Sequence, residues 1–252
     1  MGVVRKPFAP PAGIVETSVY RRVAEAVNYT LTVRYPSVIR GPAGIGKTTA
    51  LTSLNCKDQN IVLINATGML KGVWQTMQEI ANGLEITVYG RARPEQYSCI
   101  MRGAERCAAE GKYLIIDEAH RLNTDTVREI FDLWENHGLP IVLCGNNEVA
   151  KKTRMHAAAF DQISTRIGKE VRLTASEPHD FMMLGVERNV EGKDAYDAVI
   201  QFGMKTSMRE VAQLLDAARV AAGERGSIRL EHIRTAADYS FGPKRSKQIL
   251  TA

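Results

Sequence analysis

Short apolar runs recur through the first two thirds of the chain, at roughly residues 35–40, 60–66, 112–117, 140–145 and 169–173, with helical patterns between them. Runs of this length, bounded by turn residues, have the dimensions of strands, and a stretch as evenly apolar as Tyr113 to Ile116 suits a strand buried on both faces. The alternation predicts an α/β fold: a parallel five-stranded sheet sandwiched by helices. Ahead of it, residues 1–13 are rich in Pro and Ala and read as extended, and Thr17 to Leu31 reads as a helix with Val19, Val23 and Val27 on one face. Beyond Ser176 the strand-like runs stop. Helical patterns follow at about 177–189, 194–203, 207–222 and 230–240, broken at Glu191-Gly192 and between Gly223 and Gly226. The chain therefore divides into an N-terminal extension and first helix (1–34), an α/β core (35–175), and a small helical lid with a basic tail (176–252).

Between the first apolar run and the helix after it stand Gly41, Pro42, Ala43, Gly44, Ile45, Gly46, Lys47 and Thr48, a complete G-x-x-x-x-G-K-[ST] phosphate loop. Glycines at this spacing let successive backbone N–H groups converge on an anion that also faces the positive end of the helix beginning there. Lys47 is expected to reach the β- and γ-phosphates of ATP, Thr48 to ligate Mg2+, and Thr49 to complete the loop's contacts.

The third run ends in Asp117 and Glu118. A buried parallel strand delivers its last residues to the carboxyl edge of the sheet, where open α/β folds bind ligands. Asp117 is expected to hold Mg2+ through water, and Glu118 to orient or deprotonate the water that attacks the γ-phosphate. The fourth run ends in Asn146, whose amide can hydrogen-bond that water or the γ-phosphate; Asn146 and Asn147 equally suit the N-cap of a following helix.

The phosphate loop, the stretch Ile115 to Leu122 (Ile-Ile-Asp-Glu-Ala-His-Arg-Leu) and Val142 to Asn146 together resemble the AAA+ P-loop ATPases, and within them the transposition target-selection branch of Mu B-like, TniB-like and TnsC-like regulators. The Mu B type carries an additional helical DNA-binding domain ahead of the ATPase core, and here 40 residues precede Gly41. The resemblance implies an ATPase stimulated by DNA and by oligomerisation. It would assemble as a ring or helical filament on duplex DNA and select the target for, or activate, a transposase. It also implies an arginine finger acting on a neighbouring subunit, assigned to Arg166 with Arg172 as the alternative, a sensing arginine at Arg209, and Asn65 as a partner restraining Glu118. The loop and helix between the second and third strands, which hold Arg91 and Arg93, are expected to face DNA.

Charge adds to this picture. A formal net charge of +5 favours a polyanionic partner. Arg91, Arg93 and Arg102 form one basic group, Lys151, Lys152 and Arg154 a second, and Lys244, Arg245 and Lys247 a third. Lys and Arg contacts to phosphates bind without reading sequence. No apolar run approaches the ~20 residues of a membrane span, and the first residues lack a signal-peptide core. A cytoplasmic protein of a bacterium, phage or mobile element is expected, with its four cysteines reduced and buried. A helicase loader of the same superfamily and a nucleotide-switched module that ignores DNA are the rival readings.

Overall fold

The structure is a computed structural model that describes residues 13–68, 72–147, 165–223 and 226–250. The described residues separate into two compact units: those within 22–42 and 48–173 in the first, and those within 13–21, 43–47 and 174–250 in the second.

The first unit is built on five strands, β1 (Ser37–Arg40), β2 (Ile61–Asn65), β3 (Tyr113–Asp117), β4 (Ile141–Gly145) and β5 (Lys169–Arg172). They lie in the order β2-β3-β4-β1-β5, and every pairing is parallel. All five fall within two residues of the runs read from the sequence. β3 and β4 are buried along their whole length, as evenly apolar strands must be when helices cover both faces, whereas the edge strand β5 alternates and leaves Glu170 and Arg172 exposed. Helices α1 (Ser18–Val33), α2 (Lys47–Lys57), α3 (Val73–Gly83), α4 (Arg93–Ala109) and α5 (Thr124–Glu135) run between and before the strands. Met77 and Ile80 of α3, Ile100 of α4 and Phe131 of α5 pack with Leu114, Ile116 and Leu143 of the sheet into one buried cluster. Parallel register brings the carboxyl ends of β3, β4 and β1 to a common edge, and Leu114 to Ile116 pair with Ile141 to Leu143 while Ser37 to Arg40 pair with Val142 to Gly145.

At the opposite end of β3, Tyr113 donates its hydroxyl to Asp58 at 2.6 Å. Burial, reinforced by that carboxylate, pushes the phenol well above its ordinary range. The cysteines correct one expectation. Cys99, Cys107 and Cys144 are buried thiols outside any disulfide, and burial raises the Cys107 thiol, but Cys56 is exposed near the end of α2. Among the described residues no helix is long and apolar enough to cross a membrane.

The second unit contains α6 (Pro178–Glu187), α7 (Lys193–Lys205), α8 (Met208–Ala222), α9 (Leu230–Phe241) and α10 (Pro243–Leu250). Phe181, Val199, Phe202, Leu214, Leu215 and Ile233 form its core. α10 replaces the expected basic tail: Ser246 and Ile249 turn inward, and Arg245 pairs with Glu210 at 2.6 Å while lying over the Phe241 ring. Asp180 is buried, 1 % exposed. Its carboxylate accepts the Ser18 N–H and hydroxyl, both at 2.6 Å, and the Glu177 N–H at 2.9 Å. The same segment is capped by Thr17, whose hydroxyl oxygen accepts the Tyr20 N–H at 3.1 Å.

Removing this carboxylate strands buried donors, so Asp180→Ala is expected to lower stability by about 3 kcal/mol, read as a fall in the urea midpoint, whereas a change at exposed Tyr239 leaves the midpoint unmoved.

Candidate nucleotide site

The loop from Gly41 to Gly46 leaves the end of β1, where the Gly41 N–H donates to the Gly145 carbonyl at 3.2 Å. Gly44 and Gly46 have φ of +78° and +99°, values that side-chain-bearing residues rarely adopt. The alternation turns backbone N–H groups toward one concavity. A side chain at Gly46 would meet nothing within 4 Å, so the conformation demands the glycine, not a lack of room. Ile45, 5 % exposed, anchors the loop, and Lys47, 7 % exposed, begins α2. Pro42, Ala43, Thr48 and Thr49 lie exposed around it.

Within the first unit the loop's last residue meets the second motif. Thr48 donates its hydroxyl to Asp117 at 2.5 Å, and the other Asp117 oxygen accepts the Glu118 N–H at 2.8 Å. Asp117 is 2 % exposed, so these two donors compensate its loss of water. Two adjacent oxygen ligands of this kind suit a hard divalent cation that takes its other ligands from water and phosphate. Among the described residues no group of three or more His, Cys, Asp and Glu could hold a metal ion alone. The glycine-rich loop and the oxygen pair fit a cation-bound triphosphate.

Glu118 follows in a left-handed conformation, φ 55°, ψ 28°, rare for a residue with a long side chain. The turn continues as a short 3₁₀ helix over Ala119–Arg121, closed by the Arg121 N–H donating to the Glu118 carbonyl at 2.9 Å. It brings the Glu118 carboxylate to 3.5 Å from both His120 Nε2 and Arg121 Nε. Neither neighbour was expected from the sequence; the signal was their spacing, two and three residues past the acid. Asn65 stands in register with Asp117 on β2 and is exposed, one position from Glu118 along the sheet edge. Asn146 is half-buried at the end of β4, which lies between β3 and β1. The topology thus sets Asn146 between the strand that ends in Asp117 and the strand that feeds the phosphate loop.

The two candidate finger residues lie at opposite ends of β5. Arg166 precedes the strand's amino end and pairs with Glu135, the last residue of α5, at 2.7 Å. That is the sheet edge away from Thr48 and Asp117, so Arg166 cannot serve the site of its own chain. Arg172 ends β5 beside Arg40, on the same edge as the phosphate loop, and its carbonyl accepts Arg22 at 2.8 Å.

In the second unit the Arg209 N–H donates to the Gly44 carbonyl at 3.0 Å, and a side chain added at Gly44 would press on Ser207 at 3.2 Å. Ser207 caps α8 by accepting the Glu210 N–H, which sets exposed Arg209 in the first turn beside the loop.

Of the basic residues, Arg91, Arg93 and Arg102 are exposed. Arg93 opens α4 with its guanidinium 5.7 Å from the Trp74 ring centroid. Arg102, nine residues on, projects about half a turn round the helix from Arg93, so the two do not share a helix face. Lys151, Lys152 and Arg154 lie outside the described residues.

Both parts of the chain match known proteins. Residues 32–152 match the family described as AAA domain, and residues 165–239 match Mu B transposition protein, C terminal. The Mu-like prophage FluMu DNA transposition protein B of Haemophilus influenzae is 23% identical over 210 residues, covering 80% of this chain and 71% of that protein. The ATP-dependent target DNA activator B of Escherichia phage Mu is 22% identical over 230 residues, covering 90% and 73%. Solved structures with the same fold include Cdc6p from Pyrobaculum aerophilum, TM-score 0.67 at 16% identity, covering 98% of this chain and 70% of that one. The Thermotoga maritima RuvB Holliday junction branch migration motor matches with TM-score 0.56 at 17% identity, covering 88% and 68%.

Thr48→Val keeps the side chain's volume and removes its hydroxyl. Leaving the buried Asp117 with one donor fewer is expected to lower stability by about 1–2 kcal/mol in urea unfolding, with Thr48→Ser close to the unsubstituted protein.

Proposed function

We propose that this protein, an AAA+ ATPase of the Mu B type, uses ATP to assemble on duplex DNA without reading its sequence, and there presents the target to a transposase. The observation that carries the reading is the presence in one chain of an AAA domain match over residues 32–152 and a Mu B C-terminal match over residues 165–239. The name of the phage Mu relative, an ATP-dependent target DNA activator, supports ATP as the nucleotide and DNA as the partner.

Each side chain then has a task. Lys47 neutralises the β- and γ-phosphate oxygens, and the converging N–H groups of the loop hold the β-phosphate. Thr48, directly, and Asp117, through water, would hold Mg2+, which when bound spreads the charge of the β- and γ-phosphates. Glu118 orients the attacking water and takes its proton, and Asn146 completes that water's hydrogen bonds. Arg209, tied to the loop through its backbone, reads the γ-phosphate. Arg166 acts on a neighbouring subunit, exchanging Glu135 for the phosphoryl oxygens when subunits assemble. Hydrolysis therefore belongs to the oligomer, a ring or filament, and duplex DNA that promotes assembly stimulates it. Arg91, Arg93 and Arg102, with Lys151 and Lys152, supply phosphate contacts.

Filter binding over a salt series tests the reading. Duplex is expected to bind only with ATP or a slowly hydrolysed analogue, more tightly than single strands, and to weaken steeply as salt rises. Lys47→Ala should lose this binding, and Glu118→Gln should keep it while losing turnover. Equal binding with and without nucleotide contradicts the proposal. The shared site has its own test. Arg166→Ala is expected to cut ATP turnover by about a thousandfold. Mixing it with inactive Lys47→Ala protein should restore part of the activity, since the latter lends intact Arg166 to sites the former can fill. No recovery in the mixture would place the finger elsewhere.

A further inference from the structure

The loop between α3 and α4 is exposed yet held at every residue from Tyr89 to Ala92. Glu95 Oε2 accepts the N–H of Arg91 at 2.9 Å and of Ala92 at 3.4 Å. Gln96 Nε2 donates to the Gly90 carbonyl at 2.9 Å, and Cys99 Sγ donates to the Tyr89 carbonyl at 3.4 Å. Gly90 adopts φ +114°, and a side chain there would stand 2.7 Å from Glu95 Cβ. Helix capping accounts for the bond to Ala92, because a Glu at the third helical position ordinarily reaches back to the N-cap N–H. It does not account for the side chains of Glu95, Gln96 and Cys99 together gripping the three residues ahead of the cap. Fixing an exposed loop costs about 1–2 kcal/mol of conformational entropy per residue, a cost recovered when a partner binds a surface already in shape.

What the clamp presents is Tyr89, 65 % exposed, two residues from the exposed guanidinium of Arg91. An aromatic ring standing this far from the core contributes little to folding. Beside an arginine it is suited to lie against sugar and phosphate while the arginine neutralises charge.

We propose that the loop Tyr89–Ala92 is a pre-ordered duplex-contact element in which Tyr89 makes an uncharged contact with the sugar–phosphate backbone and Glu95 acts as its positioning residue. The inference rests on the DNA-binding reading above and adds to it a neutral contact and a rigid mount. Charge and shape separate in its consequences. Tyr89 releases no counterions when it binds, so its loss weakens binding equally at all salt concentrations, whereas loss of Arg91 flattens the salt dependence. Glu95 carries a negative charge that repels DNA. If charge alone mattered, removing it would strengthen binding; if the mount matters, removing it weakens binding.

The test is fluorescence anisotropy of a labelled random-sequence duplex with a slowly hydrolysed ATP analogue over a salt series. Tyr89→Ala is expected to raise Kd about tenfold, the loss of part of one buried aromatic ring, with the slope of log Kd against log salt unchanged, and Tyr89→Phe to stay within about twofold of the unsubstituted protein. Arg91→Ala should reduce that slope by about 0.9, and Glu95→Ala should raise Kd in spite of the charge it removes. A Tyr89→Ala protein with unchanged Kd, or a Glu95→Ala protein that binds more tightly, overturns the proposal. Absence of nucleotide-dependent duplex binding by the unsubstituted protein overturns the DNA-binding reading and the inference with it.

Discussion

The first unit is organised around a buried carboxylate. Asp117 ends a strand buried on both faces and is itself 2 % exposed, so its charge is tolerable only if donors are built around it. Thr48 supplies one and the backbone of Glu118 the other. The first requires the phosphate loop to return to the end of β3, which parallel packing of β1, β4 and β3 achieves. The second requires the chain to turn sharply after Asp117, which sets Glu118 in a left-handed conformation. The same bonds that make the buried acid stable also assemble the polar groups that a triphosphate and its cation need.

Much of this was legible because burial on both faces leaves a blunt mark. Tyr113 to Ile116 and Ile141 to Cys144 are apolar without alternation, and their polar endpoints, Asp117 and Asn146, are where the sheet delivers chemistry. The phosphate loop was legible for a different reason: its glycines at positive φ are dictated by backbone conformation alone. What stayed hidden depends on contacts distant in sequence. No local pattern tells that Arg166 meets Glu135, because the end of α5 approaches the start of β5 only once the sheet forms. α10 was hidden too. Its eight residues are mostly polar, with Ser246 and Ile249 buried, so a packed helix looked like a basic tail. The turn at Glu118 was concealed by its sequence, since a left-handed glutamate has no compositional signature.

The opposite placements of Arg166 and Arg172 give the subunit a direction. One sheet edge carries the oxygen ligands and the loop, while the other carries a guanidinium that its own site cannot use. In the function proposed above, a chain arranged this way holds an incomplete catalytic set that head-to-tail association completes, the geometry that generates rings or filaments. Within a single chain Glu135 occupies the guanidinium, so the unassembled protein keeps it neutralised.

In the proposed function a bound triphosphate joins neighbouring subunits and its cleavage releases them. Sedimentation velocity at one protein concentration, with long duplex present, measures this directly. The account predicts large assemblies with a slowly hydrolysed ATP analogue and their loss with ADP. Identical sedimentation in the two nucleotide states would contradict it.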